Sequence, residues 1–285
     1  AVEESRERVI SALRNSLGKN PKAENHKVIV SLSPAELKKE GAYFDLAIAL
    51  GYLLATEELA FETKGKVFML KDCLPNVVEL QEFYYQFTDT ILIKTAPILD
   101  LHAGLLELKN VAEIHIVAVD NEVKELLWKI KKNFNESPKI VAINLEKERQ
   151  TITKIESSKS YSAHYSLPKK HLYEPNASLM KSGRFEAISE LFSVEKLHQH
   201  SHLYTSDNLI DFPGRKFQIK EIIPFQKKEI LQHIQGKKIN VSSRNFPIKP
   251  EEIKKKYKII DGGDTYAFFT TNLKNEKIVL LCTKN

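Results

Sequence analysis

The side chains with the greatest chemical capacity crowd into residues 171–217. The run opens H-L-Y-E-P-N, setting Tyr173, Glu174 and Asn176 around a proline. It closes D-F-P-G-R, with Arg215 behind a Pro-Gly pair. Between these, His198, His200 and His202 alternate ahead of Tyr204. On a strand, three such imidazoles share one face, and imidazole nitrogen is a zinc ligand. Strand residues two apart are ~7 Å from each other, though. That is too far for all three to reach one tetrahedral ion, and no carboxylate or thiolate completes the set. The pattern therefore predicts no metal centre, and suits polyanion contact or buried structural roles better. Glu174 reads either as a catalytic carboxylate or as part of a turn leading into the cap of a helix. Arg215 reads either as a phosphate ligand or as half of a salt bridge. Downstream, Ser242, Ser243, Arg244 and Asn245 end a strand beside Lys237 and Lys238, a basic group suited to an RNA backbone. With Lys94 and Lys181, these residues make up the expected substrate- or RNA-binding set. No Ser-His-Asp spacing occurs, and no catalytic residue is assigned.

The elements that must position these groups follow from hydrophobic period and turn signals. Apolar residues at helical spacing predict a helix over 1–17, ended by Gly18. A strand is expected over 26–32 and an apolar helix over 44–55. Helices over 76–87, 97–108 and 121–133 then alternate with strands over 90–95, 113–119 and 139–145, which predicts a mainly parallel sheet. Residues 146–170 are polar and read as strand edges and a linker. One helix is expected over 178–192, with Gly183 inside its pattern. The last stretch reads as strands over 217–223, 237–243, 265–271 and 277–282, with helices over 226–234 and 250–256.

Hydrophobic content of 42% with 28% charged residues describes a globular chain rather than a disordered one. No apolar run approaches the roughly 20 residues that span a bilayer. No basic flank with an apolar run opens the sequence, so no secretory signal is expected. Two cysteines, Cys73 and Cys282, make no disulfide framework or metal knuckle and suit a reducing cytoplasm. The net charge of +6 is uneven: residues 196–285 hold 17 Lys+Arg against 9 Asp+Glu, a net +8, and residues 1–195 a net −2. A basic C-terminal third on a near-neutral body points to a polyanion, most simply nucleic acid, the alternative being a solvated face around Lys254, Lys255 and Lys256.

Two resemblances divide the chain. A-V-E-E-S-R-E-R-V, V-I-V-S-L-S-P-A-E-L-K-K-E-G and F-D-L-A-I-A-L-G resemble the N-terminal domain of the magnesium-chelatase-like, ComM/YifB-type AAA+ proteins over residues 1–67. That domain has a ribosomal-S5/Lon-protease-like fold. From residue 65 the chain is similar to bacterial class I S-adenosylmethionine-dependent methyltransferases with a THUMP-like C-terminal domain. The residues that carry this resemblance are D-C-L-P-N-V-V-E-L-Q, I-L-I-K-T-A-P-I-L-D, E-I-H-I-V-A-V-D-N-E-V-K-E-L-L-W, Y-E-P-N-A-S-L-M-K-S-G, H-S-H-L-Y-T-S and D-F-P-G-R.

The resemblances imply a multidomain α/β and α+β protein in which a partial Rossmann-like sheet follows an S5/Lon-like fragment. Two small α+β domains come after the sheet, the last of them THUMP-like. The expected domains are 1–66, 67–150, 151–217 and 218–285. The methyltransferase resemblance implies S-adenosylmethionine as cofactor of the parent family and RNA as substrate. Yet the glycine-rich turn and the ribose-binding acid of that fold cannot be placed, and 59–64 lack the family's acidic-Pro motif and its arginines. No G-x-x-x-x-G-K-[ST] occurs either. Cofactor-binding residues are therefore not assignable, and this chain is expected to bind no S-adenosylmethionine. The junction near 62–68, E-T-K-G-K-V-F, fits both families, as recombination or misassembly of sequence fragments would leave it. A natural fusion is the alternative. The expected reading is a chimera carrying the C-terminal portion of an RNA methyltransferase in the cytoplasm. The rivals are a non-catalytic nucleic-acid-binding module and a fragment of an AAA+ DNA-processing protein. The incomplete sheet is expected to favour self-association.

Overall fold

The computed structural model describes residues 10–11, 69–73 and 75–285. The chain divides into two units, 1–66 and 67–285. Ile10 and Ser11 are helical. The remaining expectations for residues 1–66, including the S5/Lon-like fragment, lie outside the described residues.

The second unit opens on a 3₁₀ turn, Leu70–Asp72, held by the Glu107 carboxylate. That group accepts the Leu70 and Lys71 N–H groups at 2.6 and 3.2 Å. Helix α1 (Val77–Tyr84) starts at Asn76, whose side chain accepts from Val78 and Glu79. Helix α2 (Leu101–Glu107) starts at Asp100, which accepts the Ala103 N–H. Both are cap residues of the kind that satisfy orphan N–H groups. Strands β1 (Thr90–Thr95), β2 (Val111–Val119), β3 (Glu122–Lys131), β4 (Lys139–Leu145) and β5 (Gln150–Glu156) form one sheet in the order β1-β3-β2-β4-β5.

Two expectations fail here for one reason. The helix expected over 121–133 is strand β3. Leu126, Trp128 and Ile130 recur every second residue, and all three are fully buried on the face they share with Ile114, Ile116 and Ala118. Asp120 and Asn121 both have positive φ, 49° and 62°, as a tight hairpin turn requires. A hairpin therefore replaces the crossover helix, and only β2–β4 pairs in parallel in this sheet. The segment 146–170, expected as strand edges and a linker, supplies the edge strand β5.

Helix α2 lies against the sheet through Gly104. A methyl group there would collide with the Trp128 ring, whose Nε1–H donates to Thr95 Oγ1 at 2.9 Å.

The second sheet has seven strands in the order β10-β11-β12-β9-β6-β8-β7. They are β6 (His171–Pro175), β7 (Glu195–Lys196), β8 (Tyr204–Ser206), β9 (Gly214–Pro224), β10 (Asn240–Arg244), β11 (Thr265–Thr271) and β12 (Lys277–Lys284). Strand β9 crosses the expected domain boundary at 217/218 and binds β6 on one side and β12 on the other. The single helix expected over 178–192 is two. Gly183, at φ 67°, ends α3 (Ala177–Ser182), and α4 (Phe185–Leu191) follows. Helix α3 packs on β2, β3 and β4, so the first core runs from Ile114 and Trp128 through Leu179 and Ile188 to Tyr173 and Phe212.

Helices α5 (Lys227–His233) and α6 (Pro250–Tyr257) bury Ile230, Ile253 and Tyr257 together with Ile223, Phe269 and Val279 of the second sheet. Its opposite face carries Leu172, Phe217, Phe268, Ile278 and Leu280, capped by Leu197 and Leu203 from the loop after β7.

Candidate functional site

That opposite face ends in charge. Strand alternation places Leu172 and Glu174 of β6 on it, beside their β9 partners Phe217 and Arg215. On the far edge, Arg244 pairs in register with Thr270 of β11, which pairs with Ile278 of β12. Arg215 and Arg244 converge on Glu174. Arg215 Nε donates to one carboxylate oxygen at 2.6 Å, and its Nη2 reaches the same atom. Arg244 donates to the other oxygen through Nε at 3.0 Å and Nη2 at 2.7 Å. Charge-assisted, forked contacts of this kind fix both guanidinium planes. The Arg215 guanidinium also lies 5.5 Å from the centre of the Phe217 ring. The Glu174 side chain is 7% exposed, whereas Arg215 and Arg244 are 39% and 45% exposed.

The histidine loop borders this cluster and is a turn, not a strand. His198 O accepts the Ser201 N–H and hydroxyl, and Leu197 N–H donates to Leu203 O. The three rings are used separately. His198 meets Asn275 through Nε2 and Asn245 through Nδ1, at 3.0 and 2.9 Å. His200 is exposed. His202 stacks on Phe185 with ring centres 3.8 Å apart, and its buried Nδ1 has no protein partner. Burial, then the charges of Lys196, His200 and Arg244, push its pKa down to about 4, so the ring is neutral at physiological pH.

Lys196, which no sequence pattern singles out, is 1% exposed and donates to Gln199 O at 2.8 Å. Its ammonium lies 5.2 Å from the Phe185 ring centre, and burial lowers its pKa, with Glu186 opposing. Asn245 is expected at a strand end and Asn275 in a turn, but neither is expected as a histidine partner. Their one sequence signal is that Asn tolerates the positive φ both adopt.

The other expected residues are placed apart or turned inward. Tyr173 is fully buried, with its hydroxyl shared among Ser206, Asn208 and Ile210. The Tyr204 hydroxyl donates to Phe185 O, and burial raises its pKa. Asn176 caps α3, accepting from Leu179 at 3.0 Å and donating to Thr151. Lys181 is half-buried in the last turn of α3, where desolvation lowers its pKa and Asp100 opposes the shift. Lys94 is exposed on β1, 3.6 Å from Glu125. Lys238 precedes β10, at the end opposite Arg244, and lies over Gly262. Two clefts also lie elsewhere. One, of 470 Å³, is lined by Glu113, Lys131, Glu136 and Lys139, and the other, of 530 Å³, runs along β1.

With this geometry in place, comparison with known proteins separates the chain into parts. Residues 1–72 match the family model for subunit ChlI of Mg-chelatase, residues 171–213 a ferredoxin-like domain and residues 214–284 a THUMP domain-like family. The N-terminal segment is 47% identical over 58 residues to Competence protein ComM of Haemophilus influenzae. It is 45% identical over 58 residues to YifB of Escherichia coli, which is uncharacterised. Each alignment covers 20% of this chain and 11% of the relative. A crystal structure from Porphyromonas gingivalis W83, of a protein assigned by inference as a methyltransferase, matches with a TM-score of 0.69 at 35% identity. The match covers 76% of this chain and 57% of that one. The chain thus spans about a tenth of the curated relatives and little more than half of the solved structure. It joins a segment similar to Mg-chelatase ChlI to a segment similar to a methyltransferase with a THUMP-like end, and is in that sense a chimera.

Proposed function

We propose that residues 67–285 are the substrate-presenting, C-terminal portion of an S-adenosylmethionine-dependent methyltransferase acting on RNA, and that this chain does not itself transfer methyl groups. The observation that carries the reading is the likeness to the Porphyromonas gingivalis structure over 76% of the chain at 35% identity. The THUMP domain-like match at 214–284 and the net +8 of residues 196–285 support RNA as the polyanion.

The proposal that this chain binds no S-adenosylmethionine draws support from its glycines. Of the described glycines, only Gly104 lies among the elements of the first sheet, and its space is filled by the Trp128 ring. The first sheet's described elements therefore hold no glycine-rich turn of the kind a dinucleotide-type site uses. Calorimetry with S-adenosylmethionine should give no heat of binding, and a micromolar affinity would overturn the proposal.

A second reading, a nucleic-acid-binding module without chemistry, draws support from the exposed arginines of the Glu174 cluster. Under both readings, single-stranded RNA affinity should fall steeply with salt, by ~10-fold or more between 50 and 200 mM. Salt-independent binding would sink both. The match of residues 1–72 to ChlI keeps a fragment of an AAA+ DNA-processing protein as a third reading, which the missing P-loop motif disfavours.

A further inference from the structure

The geometry points to an oxyanion receptor built from Arg215, Glu174 and Arg244, in which the two guanidinium groups hold one phosphodiester of an RNA strand and Glu174 positions them. This deepens the RNA reading above and rests on it. The arrangement hides its anion and displays its cations. The carboxylate is 7% exposed, the guanidinium groups 39% and 45%. Two positive charges against one leave the cluster at net +1.

Each arginine meets the carboxylate with its Nε and Nη2 groups. A guanidinium has five N–H donors, and among the described residues the Nη1 groups have no protein acceptor. Donor pairs held in a fixed plane match phosphate oxygens. Because Glu174 and Phe217 already hold Arg215, and Glu174 holds Arg244, little side-chain entropy remains to be lost on binding. Two further features mark the same place as unsatisfied by protein alone. Thr270, the cross-strand partner of Arg244, is fully buried and its hydroxyl has no partner, and the same holds for Nδ1 of His202.

Glu174 is a positioning residue, and its sign tests the idea. Glu174→Gln raises the local charge by one, which by Coulomb attraction alone would tighten RNA binding. Loss of positioning would weaken it.

The experiment uses the full chain, labelled single-stranded RNA titrated at several salt concentrations, and a separate titration with inorganic phosphate. Arg215→Gln and Arg244→Gln should each weaken RNA binding about tenfold and reduce the salt slope by about one. Lys255→Gln, an equal charge change on the exposed face of α6, should cost less than about twofold. Arg244→Lys should keep the slope and lose affinity, which separates the fork from the charge, and it carries the test should Arg244→Gln fail to fold. Glu174→Gln should weaken binding. Arginine variants no weaker than Lys255→Gln, or tighter binding by Glu174→Gln, would overturn the receptor. Wild-type chain that ignores RNA yet binds inorganic phosphate in an Arg244-dependent way would sink the RNA reading alone.

Discussion

His202 shows how a single side chain ties the loop to pH. Its ring is stacked on Phe185, half-buried, and surrounded by Lys196, His200 and Arg244 with only Glu186 opposing, so the folded chain disfavours its protonation. With a folded pKa of about 4 against 6.5 for the free group, the unfolded chain binds the extra proton first as pH falls. The contribution to stability is therefore whole above pH 6.5 and is lost as pH drops towards 4, at a cost of order 2 kcal/mol once the full shift is discounted for the ring's partial exposure to solvent. Burial shifts His171 in the same direction. The melting temperature should fall across that window, and His202→Phe, which keeps an aromatic ring on Phe185 and removes the titration, should flatten the profile. An unchanged profile in that variant would remove His202 from the account. The types at 198, 200 and 202 were visible in the sequence, but their division of labour was not. It depends on Asn245, Asn275 and Phe185, which are distant in the chain.

At the scale of elements, the hairpin β2–β3 is the instructive case. The sequence around Leu126 and Trp128 reads as a helix when strands and helices are expected to alternate. The left-handed pair Asp120-Asn121 and the two-residue period decide for a strand. Asn121 does more than turn the chain, since its side-chain oxygen accepts the N–H of Ala177 at 2.7 Å, at the start of α3. Asn121→Gly keeps the turn conformation but loses that acceptor, and should cost about 1 kcal/mol in denaturant unfolding. Asn121→Val, which resists positive φ as well, should cost more. Equal losses for the two would mean that the turn conformation is not what Asn121 supplies. Gly104→Ala forces a methyl group into the Trp128 ring and should cost roughly 1–3 kcal/mol.

At the scale of the molecule, the described part of the first sheet ends in β1 on one side. On its outer side β1 has no strand partner among the described residues, and Phe83, Phe87, Leu92 and Ile98 are exposed around it. Open edges and apolar patches promote association, so sedimentation should show concentration-dependent self-association that Leu92→Lys weakens. A monomer at ~100 µM would sink this expectation. Composition, charge asymmetry and local motifs determined that the chain is globular, that its last third is basic, and that its two parts resemble different families. Those are properties of short windows and sums, which need no knowledge of who touches whom. Strands 265–271 and 277–282 were legible for the same reason, being apolar runs joined by a turn of Asn residues. Tertiary structure alone decided the first sheet's direction and the sharing of one second sheet across the 217/218 boundary. It also brought Arg244 to Glu174, 70 residues away in the chain. A carboxylate that looked like a turn residue or a catalyst became the buried partner of two exposed arginines. Pairing between strands and the coming together of distant side chains are long-range choices that no local pattern encodes.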